Sequence, residues 1–87
     1  MKWQICYSNR AYKFIKEQKV EDKVREIIRK LILRYAGENI VMDVKKLKGK
    51  WYGYHRIRIG NIRMIVKIDR DNSRIIVDTV DFRGNVY

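Results

Sequence analysis

Proline is absent from this 87-residue chain, which has one cysteine, Cys6, and one histidine, His55. A lone cysteine excludes an internal disulfide. Its place in an expected first strand favours a buried structural thiol over a nucleophile, and a reducing cytoplasm fits that usage. One His, one Cys and scattered acids make no ligand cluster, so no metal site is expected. The chain also lacks a Gly-rich phosphate loop, a dinucleotide fingerprint and the residues of a Ser-His-Asp set, so no cofactor is expected. No apolar run approaches a membrane span, and the start MKWQICYS has neither the apolar segment nor the cleavage site of a signal peptide. The expectation is a cytoplasmic protein with no membrane partner. Acid is scarce too: 10 Asp and Glu stand against 21 Lys and Arg, a formal charge of +11. That imbalance in so small a domain calls for a polyanion, most commonly a phosphate backbone, with an acidic protein as the main alternative.

Apolar residues make up 46% of the sequence, enough for a folded core. Residues 1–87 are expected to form a single domain, without repeats or low-complexity tracts. Trp3–Tyr7 reads as a strand. Ser8 or Asn9 suits a helix cap before Arg10–Gln18, where Ala11, Phe14 and Ile15 share a side. A second helix spans about Glu21–Ala36, with Val24, Ile27, Ile28, Leu31 and Tyr35 as its apolar stripe and Gly37 as its stop. Glu38–Lys50 reads as a connector carrying the basic run Lys45, Lys46, Lys48 and Lys50, a pattern usual for a solvated loop.

Tyr54–Ile68 alternates at period two around Gly60-Asn61, a dipeptide suited to a two-residue hairpin turn. Tyr54, Arg56 and Arg58 point one way on the first strand, and His55, Ile57 and Ile59 the other. On the second strand Ile62, Met64, Val66 and Ile68 form the apolar face, and Arg63, Ile65 and Lys67 share the opposite one. His55 falls on the core side, which favours a packed role over a catalytic one. Arg74–Phe82 follows as a further strand, with burial on both faces expected over Ile75–Val77. The fold class is α+β in the order β-α-α-β-β-β, an antiparallel sheet with two N-terminal helices on one face. Its other face stays open, carrying Arg56, Arg58 and Arg63. A solvated face and an anion site both fit such a hairpin, and the uncovered sheet tilts the balance toward binding.

Arginine, lysine and tyrosine suffice for one reaction type. RNA carries its own nucleophile, the 2′-hydroxyl, and a protein can cleave it by orienting that group and stabilising the charged phosphorane. Tyr54 and Tyr87 are candidates for stacking on a base.

The phrase DVKKLKG at 43–49, the hairpin YHRIRIGNIRMI at 54–65 and the ending FRGNVY at 82–87 resemble the RelE/ParE toxin superfamily over essentially the whole chain. The resemblance implies the toxin of a type II toxin–antitoxin pair, neutralised by a cognate acidic antitoxin in a heterodimer or heterotetramer. In the RelE branch it implies a ribosome-dependent mRNA endoribonuclease that needs no metal. The alternatives are a ParE-type DNA gyrase inhibitor and a catalytically weak, basic RNA-binding domain. The implied catalytic residues are Arg56, Arg58, Arg63, Arg83 and Tyr87. Lys45, Lys46, Lys48, Lys50 and Tyr54 would contact RNA and the ribosome, and Arg83 with Tyr87 favours the RelE branch. Two departures stand out. RelE members often carry lysine at one or both of the Arg56 and Arg58 positions, and many relatives have histidine where Phe82 stands.

Overall fold

Ser8 decides where the first helix starts. Its side chain accepts a hydrogen bond from the Ala11 amide at 3.1 Å and donates one to the Asp78 carbonyl at 2.6 Å. One hydroxyl thus caps a helix and ties it to a distant strand. The computed structural model describes residues 2–85. Strand β1 (Gln4–Tyr7) leads into α1 (Asn9–Gln18) and α2 (Glu21–Tyr35), then β2 (Asp43–Lys46), β3 (Tyr54–Ile59), β4 (Ile62–Asp69) and β5 (Arg74–Phe82). Short 3-10 turns cover Gly49–Trp51 and Arg83–Asn85. Acidic Glu21 and Asp22 open α2 and Arg34 closes it, as the helix dipole favours.

The α+β architecture and the two helices on one face match the expectation, and the structure refines the sheet in two ways. It has five strands in the order β1-β5-β4-β3-β2, and it is mixed: β1 runs parallel to β5 while every other pair is antiparallel. Period-two alternation fixes which side of a strand faces the core but carries no direction for its neighbour, so the parallel edge was illegible. Segment 43–46, read as connector, forms β2 because the outer edge of β3 presents backbone donors and acceptors that need partners. With three of its four residues charged, β2 showed no apolar alternation.

The hairpin turns where expected. Gly60 takes φ +57° and Asn61 stays out of the left-handed region, the pattern of a turn with glycine at its first central position. Beneath the helices, Ile57, Ile62, Met64, Val66, Ile75, Val77 and Val80 pack with Ala11, Ile15, Val20, Val24, Ile27, Ile28 and Leu31 into one core. The β4–β5 register shifts between Ile65 and Val66, so Val66 pairs with Val77 and Ile65 with Thr79, leaving Asp78 as the extra residue of a bulge. The bulge lets Val77 and Val80, three apart, both face the core. Ile76 is only half-buried on the open side, so the burial on both faces expected over Ile75–Val77 is not found: Ile75 and Val77 are buried on the core face alone. Cys6, in register with Ile76, is likewise half-buried rather than enclosed.

Arg10 holds the bulge from outside, its Nη2 2.7 Å from Asp78 Oδ2, while the Thr79 hydroxyl donates to the same oxygen at 2.7 Å. Burial pushes the Asp78 carboxyl up, but these two donors outweigh it and hold the group below its ordinary value. Met64 lies at the centre of the core with none of its surface exposed. Met64→Ala should lower unfolding stability by about 2–5 kcal/mol, read from urea midpoints with an unchanged slope.

Candidate functional site

The registers lay the open face out as a grid. Across it, on the side opposite the helices, Asp43 pairs with Arg58, Arg58 with Arg63 and Arg63 with Asp81. The next row is Lys45, Arg56, Ile65 and Thr79. The third is Tyr54, Lys67, Ile76 and Cys6. Directly opposed side chains in such a sheet sit about 5 Å apart at Cβ, so Arg58 and Arg63 place two guanidinium groups side by side across β3 and β4. Asp43 and Asp81 bracket that pair from the two flanking strands.

Arg83 joins from the rim. Its amide donates to the Asn61 carbonyl at 2.9 Å and its Nη1 to the Gly60 carbonyl at 3.0 Å, which pins the residue to the hairpin turn, the end of the sheet where Arg58 and Arg63 stand. Arg56 lies one row further in. Four of the five residues implied as catalytic are therefore gathered at or next to one end of the sheet. Tyr87 lies outside the described residues.

The residues expected to contact RNA divide. Lys45 shares the arginine face, whereas Lys46 projects to the helix side, lining a cavity of about 190 Å³ with Leu31, Arg34, Tyr35, Val44 and His55. Lys48 immediately precedes the 3-10 turn and Lys50 lies within it. Tyr54 occupies the far row, where Trp51 packs edge-on at 5.2 Å and the Lys67 ammonium stands 6.0 Å from its ring centre. Sequence reasoning assigned no role to Asp43, Lys67 or Trp51. Asp43 and Lys45 keep a period-two spacing, but a four-residue edge strand is too short for that spacing to stand out.

Phe82 faces the helices, paired with Ile62 and packed edge-on against Phe14 at 5.1 Å. A side chain at this position points away from the arginine face, so phenylalanine here takes nothing from it. Among the described residues no three His, Cys, Asp or Glu side chains lie close enough to hold a metal ion. No helix is long and apolar enough to cross a membrane. What the face offers is a set of fixed guanidinium donors suited to an anion with several oxygens.

No family model matches the chain. It is 33% identical over 82 residues to Toxin RelE3 of Methanocaldococcus jannaschii, spanning 88% of this chain and 90% of that protein. Its fold is similar to that of the RelB-RelE antitoxin-toxin complex from Methanococcus jannaschii, with a TM-score of 0.65 and 26% identity over 94% of both chains. It also superposes on the heterotetrameric YoeB-YefM toxin-antitoxin complex from Staphylococcus aureus, TM-score 0.71, over 94% of this chain and 98% of that one. Identity there is 22%, so that likeness is one of fold.

His55 pairs with Lys46 and Val66 on the helix side of the sheet, and its Nδ1 finds no hydrogen-bond partner among the described residues. Burial, and then the Lys46 charge, press its pKa below the ordinary imidazole value. The folded protein therefore resists a proton that the unfolded chain accepts near pH 6.5, and stability present above that pH falls as the solution is acidified through it. Between about pH 7.5 and 5.5 the wild-type urea midpoint should drop further than that of His55→Gln; equal drops would show that His55 contributes nothing.

Proposed function

The chain belongs to the RelE toxin superfamily, and from that premise we propose that it is the toxin of a type II toxin–antitoxin pair, a ribosome-dependent mRNA endoribonuclease. The observation that carries the chemistry is the cluster of Arg56, Arg58 and Arg63 on one uncovered sheet face, with Arg58 directly opposite Arg63. A phosphodiester at this face meets guanidinium groups from two adjacent strands. As the 2′-oxygen attacks and negative charge grows on the phosphorane oxygens, fixed guanidinium groups stabilise it more than they stabilise the ground state.

In this reading Arg56 and Arg58 clamp the scissile phosphate, and Arg63 and Arg83 take up charge developing toward the hairpin-turn end. Tyr87 orients the 2′-hydroxyl or stacks on a base. Lys45 on the arginine face and Lys46, Lys48 and Lys50 around the β2 edge grip ribosomal RNA, with Tyr54 in the far row of the arginine face. Cleavage proceeds without a metal ion, in the cytoplasm, on a single domain spanning residues 1–87. The surplus of 11 positive charges suits an acidic antitoxin, and heterodimeric or heterotetrameric assembly follows the toxin–antitoxin complexes of the relatives. None of the relatives described above favours the gyrase-poison or binding-only alternatives.

Arg58→Ala, Arg63→Ala or Arg83→Ala should each lower mRNA cleavage by about 10²–10³-fold while leaving the thermal unfolding midpoint close to wild type. Tyr87→Ala should abolish translation arrest on expression. Primer extension on mRNA from expressing cells reads the result as codon-associated cuts that disappear in the variants. Intact mRNA with trapped gyrase–DNA breaks would point to the gyrase alternative instead.

A further inference from the structure

Asp43 stands on the edge strand β2, directly opposite Arg58 and one diagonal step from Arg56. Its carboxylate engages both. Oδ1 accepts a hydrogen bond from Arg56 Nη2 at 2.9 Å, and Oδ2 lies 3.8 Å from Arg58 Nε. One planar anion thus spreads two oxygens over two guanidinium groups, as the non-bridging oxygens of a phosphodiester would.

Exposure shows which group lies on the outside. The Arg56 side chain is 16% exposed and that of Asp43 is 53% exposed, so the carboxylate reaches solvent while the guanidinium it covers mostly does not. The Nε atoms of Arg56 and Arg58 are buried and find no hydrogen-bond partner among the described residues, so the donors left to meet an incoming anion are the Nη nitrogens, one of which Asp43 already holds. A phosphate approaching Arg56 from solvent meets the carboxylate first. It must share the fork with a like charge or push Asp43 aside.

We propose that Asp43 is an internal phosphate mimic that occupies the Arg56–Arg58 clamp in the unliganded toxin and thereby selects against free RNA. The proposal rests on the reading that Arg56 and Arg58 bind the scissile phosphate. An ion pair reaching solvent is weak, so the cap is reversible. A strand delivered by a larger assembly arrives at high effective concentration and displaces the carboxylate; a free strand at cellular concentration competes poorly with it. In this way one acidic side chain restricts the arginine face to RNA that something else is holding.

The test is fluorescence anisotropy with a short 2′-O-methyl oligoribonucleotide, which carries phosphates but no attacking hydroxyl. Asp43→Asn should tighten binding about three- to fivefold. Asp71→Asn, which adds the same net charge in the exposed β4–β5 turn, should change it far less. Asp43→Glu, which keeps the charge, should stay near wild type. The gain should vanish when Asp43→Asn is combined with Arg56→Ala and Arg58→Ala. Circular dichroism on each variant verifies the fold. Unchanged or weaker binding by Asp43→Asn, or a gain matched by Asp71→Asn, overturns the proposal. If Arg56→Ala with Arg58→Ala weakens wild-type binding in that case, the clamp reading survives alone. If the pair has no effect, clamp and mimic fall together.

Discussion

The constraint on which the rest of the molecule depends is that a strand has two sides and this sheet has only one cover. Two helices bury the side bearing Ile57, Ile62, Met64 and Val66, and pleat geometry then leaves Arg56, Arg58 and Arg63 no place but the uncovered side. A register slip of one residue would bury the arginines and expose the isoleucines, so the apolar core and the cationic face are specified by the same alternation. Core packing thereby gives the guanidinium groups a rigid base. They are held in position before any anion arrives, and catalysis by charge stabilisation requires such preorganisation.

Where the acids go sharpens the contrast between the two sides of the molecule. On the helices, Asp22 pairs with Arg25, Glu26 with Arg29 and Glu21 with Lys16, each within 3.5 Å. These are solvent-exposed contacts and add little stability. Three helix cations thus have an acid on the helices within reach, while on the open face the acids Asp43 and Asp81 flank an arginine pair. On the bare sheet face a polyanion finds fixed guanidinium donors within the field of a chain whose formal charge is +11.

The sequence displayed some of this plainly and concealed the rest for identifiable reasons. Both helices were readable because Val24, Ile27, Ile28 and Leu31 recur at helical spacing and Ser8 supplies a cap. The hairpin was readable because Gly60 is the residue such a turn requires. Strand β2 was hidden since Lys45 and Lys46 look like loop residues, and an edge strand needs only a neighbour's backbone to form. The bulge at Asp78 was hidden since an inserted residue breaks the period by which strands are recognised, and apolar Ile76 on the open side makes Ile75–Val77 read as a two-sided run. Face assignments survived because they depend on local alternation. The neighbours across each strand, and with them the pairing of Asp43 to the arginines, depend on topology that one segment cannot carry.

Arginine at positions 56 and 58 also constrains the chemistry. A guanidinium stays charged at any accessible pH, so it can hold a phosphate and stabilise a phosphorane but cannot remove a proton from the 2′-hydroxyl. A lysine in the same place could do both, given enough burial to depress its pKa. In the proposed reaction the two tasks separate: the sheet arginines supply charge stabilisation, and the proton passes to another group, whether the Tyr87 phenol, water or the assembly that presents the RNA. Such a division leaves the isolated arginine face a binder in want of a base. In that reading cleavage needs the strand to be held while a proton is accepted, and stray RNA in solution does not meet the first condition.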